Sequence, residues 1–289
     1  MPHALDSVVP ATYAAGLLTV ISGSCLYLGQ LPRAASITTC AGSLILFSAA
    51  LAQCQADRRS RRGPPAHPTE RHDLHNDEDA APILDAPSTS LQLLANTLVL
   101  TSSICALAVV YGARLWPPLA PLLFLVAAAA AVAATALTLS AEVQRGADVA
   151  LICRAVREGG GGASWRAVCA AAAVLEAAQR PSALRRAAGQ GGAAPVPLSE
   201  LRRCVSPLIF GALSLNFCGA LCLAASAALL LGGASSARAS LVVKVAAFCM
   251  FLGGVALVLR VGPRRVAAHR RGGRAHIEYD VARALEGWA

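Results

Sequence analysis

PLIFGALSLNFCGALCLAASAALLLG, residues 207–232, and ASLVVKVAAFCMFLGGVALVLR, residues 239–260, decide the fold of this chain. Crossing the roughly 30 Å hydrocarbon core of a bilayer takes about 20 helical residues, and each stretch is that long. The first holds no charged side chain; the second holds only Lys244 and, at its end, Arg260. They are joined by Gly233 to Ala237 and Arg238, a connector so short that the two segments must run antiparallel. The pair reads as a helical hairpin that enters a membrane and returns.

The same arrangement recurs twice toward the N-terminus. Charge-poor runs at 8–29 and 35–55 are joined by Gln30 to Ala34, and runs at 92–112 and 119–140 by Ala113 to Pro118. The fourth run is the weakest, because Ala127 to Ala136 is almost all alanine and inserts less strongly than leucine; Leu122, Leu123, Phe124 and Leu125 carry it. The expected fold is all-α: a polytopic membrane helical bundle of six transmembrane helices arranged as three hairpins. Its expected divisions are a first transmembrane hairpin (1–56), a disordered cytoplasmic loop (57–90), a second hairpin (91–141), a cytoplasmic helical loop (142–205), a third hairpin (206–260) and a basic cytoplasmic tail (261–289).

Charge is sorted to one side of this arrangement. Of 25 basic residues, 21 arginines lie in the two long connectors and the tail, and so do or adjoin all 16 acidic residues, counting the N-terminal segment with Asp6. The short connectors hold Arg33, Arg114 and Arg238. By the positive-inside rule the long connectors and both termini face the cytoplasm. The first run is preceded by Asp6 and His3 and by no basic leader, so it reads as a retained first helix rather than a signal peptide. The net charge of +9 is then juxtamembrane arginine, which pairs with anionic lipid headgroups, and no nucleic-acid partner is expected.

Small residues stand at comparable depths in the hairpins: Ser22-Gly23-Ser24-Cys25, Ser102-Ser103-Ile104-Cys105 and Gly219-Ala220-Leu221-Cys222 in the first helices, and Cys40-Ala41-Gly42-Ser43 beside Cys249 to Gly254 in the second. Duplication of a hairpin explains the echo, although Asn96 and Asn216 fall out of register against it. Lipid gives apolar side chains no reason to prefer protein over acyl tails, so close backbone approach must supply the attraction between helices. Gly16, Gly23, Ser24, Ala41, Gly42, Ser43, Gly211, Gly219, Ala220, Gly253 and Gly254 are the expected contact residues.

On these motifs the first and third hairpins resemble the YrhK-like family of two-span membrane domains, which have a Gly-Ser step in each helix, a short connector and a basic stretch after the second helix. The resemblance lies in residues 17–47, with Gly23-Ser24 and Gly42-Ser43, and in residues 216–271, with Gly253-Gly254 and the basic run Arg260, Arg264, Arg265, His269, Arg270, Arg271. The third hairpin departs from it in having Gly-Gly, and the middle one further, with Ser102-Ser103 and no second step. The resemblance implies architecture, repeated hairpins, and no catalytic residue.

Chemistry is sparse. His67, Glu70, His72, Asp73, His75, Asp77, Glu78 and Asp79 supply metal-ligating side chains, but Pro64, Pro65 and Pro68 and the shortage of apolar neighbours make the segment a solvated linker. The ten cysteines include no C-x-x-C pair; they read as small packing residues, with Cys54 and Cys204 beside membrane ends and arginines where acylation could occur. No phosphate-binding, nucleophile-elbow or zinc-protease motif is present. Within the membrane the candidate binding residues are Asn96, Asn216 and Lys244. Asn96, Thr97, Thr101, Ser102 and Ser103 give the third helix a polar stripe, and Lys244 lies near enough to a membrane face to snorkel. No catalytic residue, cofactor or metal is expected. The function these features point to is a non-enzymatic membrane component, such as a scaffold, sensor or accessory subunit, able to form homo- or hetero-oligomers. The alternative is a small-solute transporter or channel that uses the three polar residues.

Overall fold

The computed structural model describes residues 2–61, 86–112, 119–158, 199, 204, 207–233 and 235–269. Six long helices make up its regular structure: α1 Pro2–Leu28, α2 Pro32–Arg61, α3 Ala86–Gly112, α4 Ala120–Glu158, α5 Pro207–Leu231 and α6 Ser236–His269; among the described residues there is no strand. Each contains a segment long and apolar enough to cross a bilayer: Ala11–Leu28, Pro32–Gln55, Leu91–Gly112, Ala120–Val143, Pro207–Leu231 and Ala237–Leu259. α4 runs on unbroken through Ala141 to Glu158, so it projects about 22 Å past its apolar segment at 1.5 Å per residue. The His67–Asp79 segment and residues 159–198 of the expected cytoplasmic helical loop lie outside the described residues.

Two of the short connectors are closed by helix-capping chemistry. After α1, the Leu31 amide donates to the Leu26 carbonyl and the Gln30 amide to that of Tyr27, both at 3.0 Å. This is the paired pattern of a Schellman cap, which requires a left-handed residue at its centre. Gln30 takes that role at φ 63°. After α5, Gly233 takes it at φ 75°, with no Cβ to strain the conformation. Pro32 then opens α2 at a position where its missing amide hydrogen costs nothing, and the Ser235 carbonyl accepts from Arg238 and Ala239 to start α6.

The three hairpins α1–α2, α3–α4 and α5–α6 are also joined side by side: α2 packs on α3, α4 on α5, and α6 returns to α1. The principal neighbours of every helix are therefore those before and after it in the chain, and the six close into a ring. Within hairpins the contacts repeat every seven residues, the period of a left-handed antiparallel coil. A methyl on Gly23 would stand 3.2 Å from the Ala35 carbonyl oxygen, and one on Gly42 would stand 3.0 Å from that of Gly16. In the third hairpin a methyl on Gly219 would stand 3.0 Å from the Ala246 carbonyl oxygen and one on Gly253 2.7 Å from that of Ala212, and the Ser226 hydroxyl donates to Ala239 O at 3.0 Å. In the second, the Ser102 hydroxyl donates to Ala127 O at 2.7 Å. Continuing that antiparallel register by one heptad sets Ala95 opposite Ala134, and both are fully buried.

Among the described residues, sixteen of the twenty-one buried apolar side chains are alanine, while Leu18, Leu44, Leu122, Leu208 and Leu241 all stand more than half exposed. Water would strip such a structure apart, since alanine burial offers little hydrophobic free energy. In lipid the distribution is the stable one: large side chains face acyl tails, and small ones let backbones approach. The alanine run of the fourth segment, the weakest feature for insertion, is the surface by which α4 packs, with Ala127, Ala128, Ala130, Ala131 and Ala134 all buried. Two expected contact residues are corrected. Gly211 and Ala41 are exposed on outer helix faces, and a methyl added at Gly211 would meet nothing within 4 Å. Each directly precedes a seam residue, Ala212 or Gly42, and so is turned about 100° away from the seam of its own helix.

Candidate functional site

The ring does not gather the three polar candidates at one place. Asn96 is the sixth residue of its apolar segment, so it lies about 8 Å from the long-connector side; Asn216 lies about 14 Å from that same side. Lys244 lies about 10 Å in from the opposite side. They also differ in direction. Asn96 is buried, one heptad before Ser103 and so on the side of α3 that meets α2. Asn216 sits against α6, its Oδ1 2.6 Å from where a Gly253 Cβ would be. Lys244 is exposed on the outer face of α6 with Leu241, Val245 and Phe248.

That outer position explains how a lysine is carried in the spanning segment. Helical side chains lean toward the helix N-terminus, and α6 begins at the short-connector side. The four-carbon stem of Lys244 is thereby biased toward the nearer membrane face, the direction in which snorkelling carries its ammonium toward the headgroups.

The hydroxyls of the third-helix stripe divide among three faces. Thr97 and Thr101 are exposed, and each donates to the carbonyl one turn back, Leu93 at 2.8 Å and Thr97 at 2.9 Å. Ser102 turns to α4, as above. Ser103 turns to α2, where its hydroxyl meets that of Ser43 at 2.7 Å in a buried contact. Ser43 also reaches Thr39 O at 2.8 Å and Ser103 reaches Val99 O at 2.9 Å. Each hydroxyl has a single proton, so one serine donates across the interface while the other donates along its own helix. Sequence reading placed Ser43 and Ser103 among packing and polar residues but did not pair them; their signal is that each directly follows a seam residue, Gly42 or Ser102.

The Asn96 amide is the exception to this satisfied set, since Nδ2 is buried without a hydrogen-bond partner. Among the described residues no group of three or more His, Cys, Asp or Glu side chains is placed to hold a metal.

A second cluster lies outside the bilayer segments. Cys153, on the α4 extension, is fully buried, and its thiol is within hydrogen-bonding reach of that of Cys204, three residues before α5. That hydrogen bond, reinforced by burial and by the charge Cys204 would carry, pushes the Cys153 thiol well above the usual range. Nothing in the sequence announces a pair separated by so many residues. Cys54, a candidate for acylation, is buried in α2, which removes the access an acyl donor needs.

Six apolar spans, a core of small residues and an apolar exterior define a multi-pass integral membrane protein. Comparison of the chain with protein-family models, curated proteins and solved structures finds no match, so the YrhK-like resemblance of its hairpins rests on the motifs quoted above.

Proposed function

We propose that this protein is a non-enzymatic membrane component, a scaffold, sensor or accessory subunit whose ring holds its basic segments at the cytoplasmic face. The observation that supports this reading is the dispersal of its intramembrane polar groups. Hydroxyls of Ser43, Ser102, Ser103 and Ser226 join helices, those of Thr97 and Thr101 return to their own backbone, and Lys244 turns outward. A solute path needs polar groups that converge on one water-filled line through the bilayer. Both termini lie on the cytoplasmic side in this reading, where arginines beside the long connectors pair with anionic headgroups. Repeated YrhK-like hairpins are part of the same proposal.

One observation favours a transporter instead: the Asn96 Nδ2 donor has no partner, and an unpaired amide in a dry interior is costly. Single cysteines at Asn216 and Lys244, placed in a cysteine-free background and challenged with a water-soluble thiol reagent on sealed vesicles, separate the two readings. A scaffold predicts labelling at position 244 and protection at 216. Fast labelling at 216 would establish water deep in the bundle and put transport first.

A further inference from the structure

We infer that Cys153 and Cys204 form a reversible disulfide site, oxidised by low-molecular-weight disulfides, that ties the α4 extension to the entrance of α5. Three observations carry this. The two thiols are already within hydrogen-bonding reach of each other, which brings their sulfurs close to the separation from which a disulfide forms. Both cysteines lie beyond the apolar segments of their helices, Cys153 ten residues past Val143 and Cys204 three before Pro207, within reach of aqueous reagents that do not enter the bilayer. They also differ in access: Cys153 is fully buried and Cys204 is partly exposed, so one thiol can meet an external oxidant and the other can only meet its neighbour.

That asymmetry sets the order of events. The Cys204 thiolate attacks one sulfur of a small disulfide RSSR, forming Cys204–S–S–R and releasing RS⁻, which takes up a proton. The Cys153 thiol then attacks the Cys204 sulfur, its proton passing to the departing thiolate, which forms the protein disulfide and releases the second RSH. The net change converts two protein thiols and RSSR into one protein disulfide and two RSH. Because burial keeps Cys153 from meeting the external oxidant, it reacts only after Cys204 has been modified. Cys153 and Cys204 bracket the larger long connector, so closing the bond fixes both ends of that segment against the bundle. This holds whether the bundle acts as a scaffold or a transporter.

The test uses the full-length protein in membranes, incubated with glutathione disulfide, alkylated with iodoacetamide and digested for mass spectrometry. The expected result is a Cys153–Cys204 cross-linked peptide, lighter by two hydrogens than its reduced parts and lost on treatment with dithiothreitol. In Cys153→Ser, glutathione should instead remain attached to Cys204, since no resolving thiol is present. The proposal is overturned if wild-type protein keeps glutathione on Cys204, if both cysteines are alkylated after oxidation, or if either one pairs with another cysteine such as Cys54 or Cys169.

Discussion

A single methyl group separates tolerated from disruptive change in this bundle. At Gly253 a Cβ would stand 2.6 Å from Asn216 Oδ1 and 2.7 Å from the Ala212 carbonyl oxygen, and backbone cannot give way as a side chain can. Gly253→Ala is therefore expected to destabilise the protein by about 1–3 kcal/mol, the range for overpacking. Gly211→Ala, with open space around it, should stabilise by up to about 1 kcal/mol through helix propensity alone. Unfolding in mixed detergent micelles measures both, and equal effects would remove the seam argument. The Ser43–Ser103 bond is weaker: Ser43→Ala should cost about 0.6 kcal/mol, the average for such membrane contacts. A double-mutant cycle with Ser103→Ala should recover most of that as coupling. Small residues as the contact set were legible in the sequence because lipid leaves no other adhesive. Which side each one faced was not, since Gly211 and Gly219 look alike until a helix is rotated against its partner.

The helices carry their own tests. Gln30 occupies a left-handed conformation that costs a residue with a Cβ about 1–2 kcal/mol. Gln30→Gly, matching Gly233 in the third hairpin, should recover much of that strain and raise the unfolding midpoint, and a lowered midpoint would count against the cap. In α4 the alanines divide by face: Ala134 is fully buried and Ala129 exposed. Ala134→Leu is expected to destabilise by about 1–3 kcal/mol, and Ala129→Leu to be neutral in stability while improving membrane insertion. Helix number, hairpin pairing and span limits to within three residues could be read from hydropathy and connector length. The polar stripe on the third helix could not be read as a site, because residues 96, 97, 101, 102 and 103 fan around more than half the helix circumference at 100° per residue. Consecutive polar positions on a helix do not share a face.

At the scale of the whole molecule, the ring is the feature that no local pattern announces, because closure depends on α6 finding α1 across more than two hundred intervening residues. The contact that seals it is between Gly254 and Ile21, where a Gly254 Cβ would lie 2.7 Å from Ile21 Cγ1. Cross-helix distances of that kind suit a disulfide, since Ile21 Cγ1 occupies about the place a sulfur would take. The most direct measurement is therefore oxidative cross-linking of Ile21→Cys with Gly254→Cys in an otherwise cysteine-free chain that carries a protease site in the connector between α2 and α3. After oxidation and cleavage, a closed ring predicts that the α1–α2 fragment stays joined to the rest of the chain and is released only by reduction. Fragments that separate without reductant, alongside intact membrane insertion, would contradict the ring and leave three hairpins associated in some other order.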